Sequence, residues 1–294
     1  MGDVSKAVLI TGCSSGIGQA TARRLAAGGW TVYATARRQE SIADLEAAGC
    51  RTMALDVTGE DSMVAAVRAV EETHGAVGVL INNAGYSQSG AIETVSMEAV
   101  RRQFETNVFG LARLTQLVLP RMRDQRWGKI VNLGSMGGKL VFPGGGWYHA
   151  TKHALEAVSD ALRFEVRGFG IDVILLEPGL ITTEFGNAAV ASMSEVDGPS
   201  VGNAAVAAAA GTDPYAKFNA TVGAATAGAY DGPLRHLGAG PDRVAKVIEK
   251  SITKRRAPTR VTITPSAKLS IPSRRLMPDR MWDAMMRAQF PTPK

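Results

Sequence analysis

Cysteines, histidines and aromatic residues are scarce in this chain, and each shortage removes a class of protein. Cys13 and Cys50 are the only two cysteines among 294 residues, so neither a disulfide framework nor a thiolate metal site is expected. The four histidines, His74, His149, His153 and His236, are scattered. His149 and His153 are spaced to share a helix face, but no glutamate lies between them as a zinc hydrolase would need, so surface or hydrogen-bonded histidines are expected and no metal. Aromatic residues make up 6% of the chain and form no basic–aromatic stripe, which argues against nucleic-acid binding. No uninterrupted apolar run approaches the roughly 18 residues that would suggest a membrane span. Met1-Gly2-Asp3-Val4-Ser5-Lys6 carries no apolar signal region, so the expectation is a cytoplasmic protein without a transmembrane span.

What is present is enough apolar material for a substantial core: 45% of residues are hydrophobic and 20% charged. The formal net charge of +6 suits either a solvated basic surface or an anionic cofactor such as a phosphorylated dinucleotide.

Short apolar runs alternate with helical periodicities along most of the chain. Strands are expected at residues 6–11, 30–36, 51–57, 77–82, 129–133, 171–176 and 260–264. Helices are expected at 17–27, 41–48, 60–73, 97–123, 148–166, 242–253 and 278–288. Such alternation predicts an α/β fold with right-handed βαβ units: a doubly wound, Rossmann-type parallel sheet of about seven strands, helices on both faces, and a ligand outside the carboxyl ends of the strands. The regular pattern lapses at about 184–233, which includes the run Ala204–Ala210. Coming straight after a strand, this long irregular stretch reads as a lid over the substrate site. The whole chain reads as one dinucleotide-binding and catalytic domain, with a C-terminal helical extension at about 265–294.

The first strand runs into Thr11-Gly12-Cys13-Ser14-Ser15-Gly16-Ile17-Gly18 and then a helix. Glycines let the backbone approach a pyrophosphate and take positive φ, and the helix N-terminus offers free N–H groups to the anion. The second strand ends in Thr35-Ala36-Arg37-Arg38, with no acid to hold a ribose 2′-hydroxyl and two guanidinium groups able to grip a 2′-phosphate. NADP(H) is therefore expected over NAD(H). Asp56-Val57 closes the third strand where an adenine would lie, although a strand-end aspartate often does no more than cap the next turn.

Tyr148 and Lys152 are four apart on an expected helix, hence one turn apart on one face. A free tyrosine, with a pKa near 10, is a poor base at neutral pH, and a useful depression of two or three units needs roughly 3–4 kcal/mol. A neighbouring ammonium and a positive nicotinamide ring would both favour the phenolate. Ser135, at the end of the fifth strand, offers a hydroxyl to a substrate oxygen that gains negative charge. Asn107, mid-helix in Glu105-Thr106-Asn107-Val108-Phe109, either bonds nearby backbone or holds a water linked to Lys152.

Together these pieces, with Asn82-Asn83-Ala84-Gly85 and Pro178-Gly179, resemble the short-chain dehydrogenase/reductase family over about residues 5–185. The resemblance implies an enzyme in which Tyr148 is acid in carbonyl reduction and base in alcohol oxidation, and Lys152 holds the nicotinamide ribose and lowers the Tyr148 pKa. It also implies that Ser135 orients the substrate oxygen and that Asn107 supports a water-linked proton relay. Asn83, Ala84 and Gly85 would line the adenosine side of the cofactor; Pro178, Gly179, Ile181 and Thr183 would meet the nicotinamide carboxamide. Homo-oligomers are common in the family. Thr262–Lys268, Leu276–Arg280 and Val32–Arg37 look like its retinol- and hydroxysteroid-dehydrogenase branch, which implies a bulky lipophilic carbonyl or secondary alcohol as substrate. An NAD(H)-dependent alcohol dehydrogenase and a non-catalytic dinucleotide sensor are the alternatives. In the tail, Leu276, Met277, Met281, Trp282, Met285 and Met286 recur at helical spacing behind basic residues. They would touch a membrane surface or, the preferred reading, pack on the domain or a second subunit.

Overall fold

The structure, a computed structural model, describes residues 4–186, 192 and 214–290. Strand β1 (Val8–Ile10) leads through the glycine turn into α1 (Gly16–Ala27), then β2 (Val32–Ala36), a 3-10 helix (Gln39–Leu45), β3 (Arg51–Ala54), α2 (Glu60–His74) and β4 (Val79–Asn82). The second half runs α3 (Met97–Phe104), a π-helical turn (Glu105–Phe109), α4 (Gly110–Asp124), β5 (Gly128–Leu133), α5 (Gly146–Val166) and β6 (Ile171–Glu177). It continues with α6 (Ala216–Asp231), α7 (Pro241–Thr253), β7 (Arg260–Thr262), α8 (Pro265–Leu276) and α9 (Asp279–Gln289).

The seven strands form one sheet in the order β3-β2-β1-β4-β5-β6-β7, parallel throughout, which is the doubly wound Rossmann-type arrangement expected. Every residue of β1, β2, β4 and β5 is buried, as strands covered on both faces must be. Alternate side chains feed two cores. Val8 and Ile10 join Ala22 and Leu25 of α1 and Val244 and Ile248 of α7 on one face. Leu9 joins Val67 and Val70 of α2 and Leu114 and Val118 of α4 on the other. The strand order reverses between β1 and β4, and the crevice at that switch point opens at the carboxyl ends of the strands.

The observed elements depart from expectation in several places: the helix expected at 41–48 is the 3-10 helix Gln39–Leu45, and the strand expected at 51–57 stops at Ala54. The helix expected over 97–123 is interrupted by the π turn, which carries Asn107. The described part of the expected lid is not irregular but the helix α6, whose Ala- and Gly-rich sequence shows no strong apolar stripe; the Ala204–Ala210 run lies outside the described residues. The strand expected at 260–264 stops at Thr262, because Thr264 turns to cap α8 by accepting a hydrogen bond from the Ala267 N–H at 3.2 Å.

A polar chain crosses the core beneath the crevice. Asn82 Nδ2 donates to Asn132 Oδ1 (2.9 Å) and Thr115 Oγ1 (3.3 Å), and Asn132 Nδ2 donates to Ser159 Oγ (2.9 Å). It ties β4 to β5 and both to α4 and α5. Asn132→Ala would leave Asn82 Nδ2 with only Thr115 and take the Asn132 amide away from the buried Ser159 hydroxyl, at a cost of about 1–3 kcal/mol. Urea denaturation measures this, and an unchanged midpoint would show that the chain carries no stability.

Candidate active site

A cavity of about 1590 Å³ fills the crevice. Ordinary small-molecule pockets run to about 300–1,000 Å³, so this one has room for two ligands side by side.

One end is built from the β1 turn. Gly12 and Gly16 adopt φ of +71° and +57°, which L side chains rarely take. A Cβ on Gly18 would sit 2.2 Å from the Gly12 carbonyl oxygen and 2.5 Å from Asn83 Nδ2, so only glycine lets α1 come this close. Asn83 Nδ2 donates to the Thr11 and Gly12 carbonyls (2.8 and 2.9 Å), while the Thr11 hydroxyl accepts from the Asn83 and Ala84 N–H groups, each at 3.0 Å. The N-cap residue Ser15 makes no side-chain cap, leaving the first N–H groups of α1 facing the cavity wall formed by Ser14, Ser15, Gly16 and Ile17. Ala36, Arg37, Asp56 and Val57 line the same end. Asp56 Oδ1 accepts from the Thr58 N–H (2.9 Å) and hydroxyl (2.7 Å), so the carboxylate caps the turn after β3, the plainer of its two readings.

The middle of the cavity gathers Ser135 from the end of β5 and Tyr148 and Lys152 from α5. Ser135 follows β5 and its Oγ accepts from the Gly137 N–H at 3.0 Å. Tyr148, on the first turn of α5, keeps part of its surface open to the cavity, yet enough protein surrounds it that burial pushes its phenol well above the usual range. A hydrogen bond with Ser135 pulls the other way without cancelling this. Lys152 is buried, and burial lowers its ammonium to about 8. Its Nζ donates to the Leu133 carbonyl at 2.7 Å and lies 5.7 Å from the Tyr148 ring centre. Among the protein groups desolvation outweighs the Ser135 hydrogen bond, so any depression of the phenol would have to come from Lys152 acting together with a bound nicotinamide ring.

After β6, Pro178, Gly179, Ile181 and Thr183 line the wall. The Gly179 N–H donates to Thr264 Oγ1 (3.0 Å) and the Leu180 N–H to Ser266 Oγ (3.1 Å), and a Cβ on Gly179 would collide with both hydroxyls at 2.4 Å. The far end is mostly apolar: Phe142, Phe185, Val222 and Tyr230 face Trp282 and Met286 of α9.

A family model described as short chain dehydrogenase matches residues 6–194. The chain belongs to the short-chain dehydrogenase family. It is 42% identical over 179 residues to a 3-ketodihydrosphingosine reductase of Bacteroides thetaiotaomicron, a match covering 60% of this chain and 65%, just under two thirds, of that relative. It is 38% identical over 190 residues to an NADPH-dependent 3-dehydrocapnine reductase of Ornithobacterium rhinotracheale, covering 62% of this chain and 67% of the other. Among solved structures, a short-chain dehydrogenase from Streptomyces avermitilis superposes with a TM-score of 0.73 at 33% identity, covering 98% of this chain and 99% of that one.

In this family member the sequence-selected residues Gly12, Ser14, Ser15, Gly16, Ile17, Arg37, Asp56, Val57, Asn83, Ala84, Gly85, Ser135, Tyr148, Lys152, Pro178, Gly179, Ile181 and Thr183 all line one cavity. Three others do not. Gly18 acts by close packing. Arg38, the residue that leads into the 3-10 helix, is exposed and does not line the cavity. Asn107 stands behind the wall: its Oδ1 accepts from the Tyr86 N–H (3.1 Å), and its Nδ2 donates to the Tyr86 carbonyl (2.8 Å) and Thr151 Oγ1 (3.2 Å). Its amide donors are thus engaged by protein atoms, which fits the backbone-bonding alternative rather than a side chain that holds water. Sequence reasoning missed Phe142, Tyr230, Thr264 and Ser266. Thr264-Pro265 does carry a helix-start signal, but nothing local says which turn its hydroxyl will grip.

His149 is a satisfied core histidine. Nδ1 donates to the Gly137 carbonyl (3.0 Å) once Nε2 is assigned as acceptor from the Phe142 N–H (3.2 Å), and burial lowers its pKa from 6.5 to about 4. The unfolded chain therefore takes up a proton below 6.5 that the fold refuses until about 4. Stability contributed by neutral His149 is complete above pH 6.5 and declines as pH falls to about 4, by about 3 kcal/mol in all. Denaturation midpoints of wild type and His149→Gln across this window should diverge in slope; parallel slopes would remove the assignment.

Proposed function

We propose that this protein is an NADP(H)-dependent oxidoreductase that interconverts a bulky lipophilic ketone and its secondary alcohol, with Tyr148 as general acid and base. The reading is carried by one observation: Ser135, Tyr148 and Lys152 meet inside the same cavity that ends at the glycine turn and Arg37.

A dinucleotide fits the residues present. The positive-φ cradle of Gly12 and Gly16 at the head of α1 suits a pyrophosphate, and Arg37 beside Ala36 suits a 2′-phosphate with no acid to oppose it. Lys152 would hold the nicotinamide ribose, and Pro178, Gly179, Ile181 and Thr183 the carboxamide. When bound, the cofactor supplies or accepts the hydride. In reduction, the Ser135 hydroxyl and the Tyr148 phenol both donate to the ketone oxygen and orient it. Burial keeps Tyr148 protonated, so it delivers that proton as negative charge develops on the oxygen. Lys152, with its ammonium lowered to about 8, is close enough to neutral pH to share in restoring it. The stretches that carry the likeness to the retinol- and hydroxysteroid-dehydrogenase branch include the end of β7 and the start of α8, whose Ser266 lines the cavity. Both relatives named above are reductases whose names specify a 3-keto or 3-dehydro substrate, one of them NADPH-dependent, which supports the ketone and cofactor readings. We read the chain as one catalytic domain in which α6, a described part of the stretch read as a lid, covers the substrate.

Two measurements test this. Following NADPH consumption on a panel of ketones, Tyr148→Phe should lower kcat about 10²–10⁴-fold with NADPH binding retained; unchanged turnover on every substrate would end the mechanism. Arg37→Ser should weaken NADPH binding about 10–100-fold, the worth of a charge-assisted contact, and leave NADH binding unaltered. Equal loss for both cofactors would show that Arg37 does not read the 2′-phosphate.

A further inference from the structure

We propose that the outer face of α8 and α9 docks on an anionic lipid surface, with the mouth of the cavity opening at that face. On α8 the exposed positions are Pro265, Lys268, Leu269, Pro272, Arg275 and Leu276, which recur at helical spacing and form one stripe. Leu276 is 83% exposed, Leu269 62% and Met281 of α9 55%, three of the ten exposed large hydrophobic residues among the described ones. Apolar residues scattered singly over a surface need no explanation; three gathered on two consecutive helices do.

The cations on these helices point the same way. Residues 265–290 hold five Lys and Arg against two Asp. Arg274 is engaged by Asp279 at 2.6 Å and stacks on Trp282, fixing the turn between the helices. Lys268, Arg275, Arg280 and Arg287 make no ion pair among the described residues. Exposed apolar side chains interleaved with unpaired cations match the boundary of an anionic bilayer, where each cation strengthens binding about fivefold. A second copy of this chain would bring the same cations against these in an isologous pairing, and like charges would oppose it. Lys254, Arg255 and Arg256 precede β7, at the end of the sheet away from the cavity, and belong to a different surface.

The face also borders the cavity. Leu269 is exposed and lines it, as do Ser273 and Gln289, while Trp282 and Met286 turn inward from α9. A lipophilic substrate held in a bilayer would thus meet the mouth directly. Only this last purpose rests on the catalytic reading; the docking itself does not.

The test is flotation of the full chain with vesicles of phosphatidylcholine mixed with phosphatidylglycerol, against phosphatidylcholine alone, at low and high salt. The expected result is co-flotation with the anionic vesicles only, lost at high salt. It should fall at least about tenfold in Arg275→Glu/Arg280→Glu and in Leu276→Glu/Met281→Glu. None of these four residues lines the cavity, so turnover of a water-soluble ketone should match wild type in both variants. If either pair fails to fold, Arg275→Gln/Arg280→Gln, which only removes charge, decides instead. No co-flotation, equal flotation on neutral vesicles, or variants that float like wild type would each overturn the proposal. So would a dimer in solution that these substitutions dissolve without any flotation. Flotation as expected with no ketone reduced by any form would leave the surface standing and remove the catalytic reading.

Discussion

At Gly18 the carbonyl oxygen of Gly12 stands where any other residue would place its Cβ, 2.2 Å away. The site is built outward from that contact. It lets α1 start directly beneath the turn, keeps the positive-φ glycines in place, and leaves room for the Asn83 amide to bridge the carbonyls of Thr11 and Gly12. The ends of β1 and β4, neighbours across the reversal in strand order, become one rigid rim. A parallel sheet creates a crevice at such a reversal, but an unlocked rim would not hold an anion and a reacting centre at a constant distance.

The chemistry at the other side of the crevice is held from behind. A Cβ on Gly138 would lie 2.9 Å from both Glu156 Cγ and the Lys152 carbonyl, so the turn after Ser135 lies hard against α5. Glu156, one helical turn beyond Lys152, pairs with Lys139 of that turn at 2.6 Å and with Arg260 of β7 at 2.5 Å. Arg260 Nε is also 2.7 Å from Glu177 Oε1, yet neither atom has a hydrogen-bond partner: the distance allows attraction between the charges, but the N–H is not aimed at the oxygen. Charge balance rather than ideal geometry holds this corner, and buried pairs of that kind do more to set position than to add stability. Together with the grip of Thr264 and Ser266 on the Gly179 turn, it makes β7 and α8 supports for a site whose reacting groups all come from earlier in the chain.

Much of this was legible residue by residue. The glycine turn, Ser135, and Tyr148 with Lys152 were selected from spacing, and all of them reach one cavity. The legible features are local: a strand that stops, a turn that needs glycine, two side chains four apart on a helix. Where the sequence left two readings open, the structure shows the local partners: Asp56 Oδ1 accepts from Thr58 while the residue still lines the cavity, and Asn107, on a π turn that has no sequence signature, bonds the Tyr86 backbone. α8 lies within the helical extension expected at about 265–294, although Pro272 in its interior, a helix breaker in isolation, kept its limits from being read off. In the tail, Trp282 and Met286 pack inward with Leu140, as the packing reading expects of them, while Leu276 and Met281 stay exposed.

By itself the sequence determined the order of strands and helices, the parallel doubly wound sheet and the turn able to receive a pyrophosphate, because backbone conformation and periodic burial are written into neighbouring residues. Only the tertiary structure decided that burial raises the Tyr148 phenol, that Arg37 lines the cavity while Arg38 does not, and that helices from the far end of the chain wall the apolar pocket. Desolvation, side-chain direction at a strand end and long-range packing depend on what the rest of the chain brings alongside, and no window of sequence contains that.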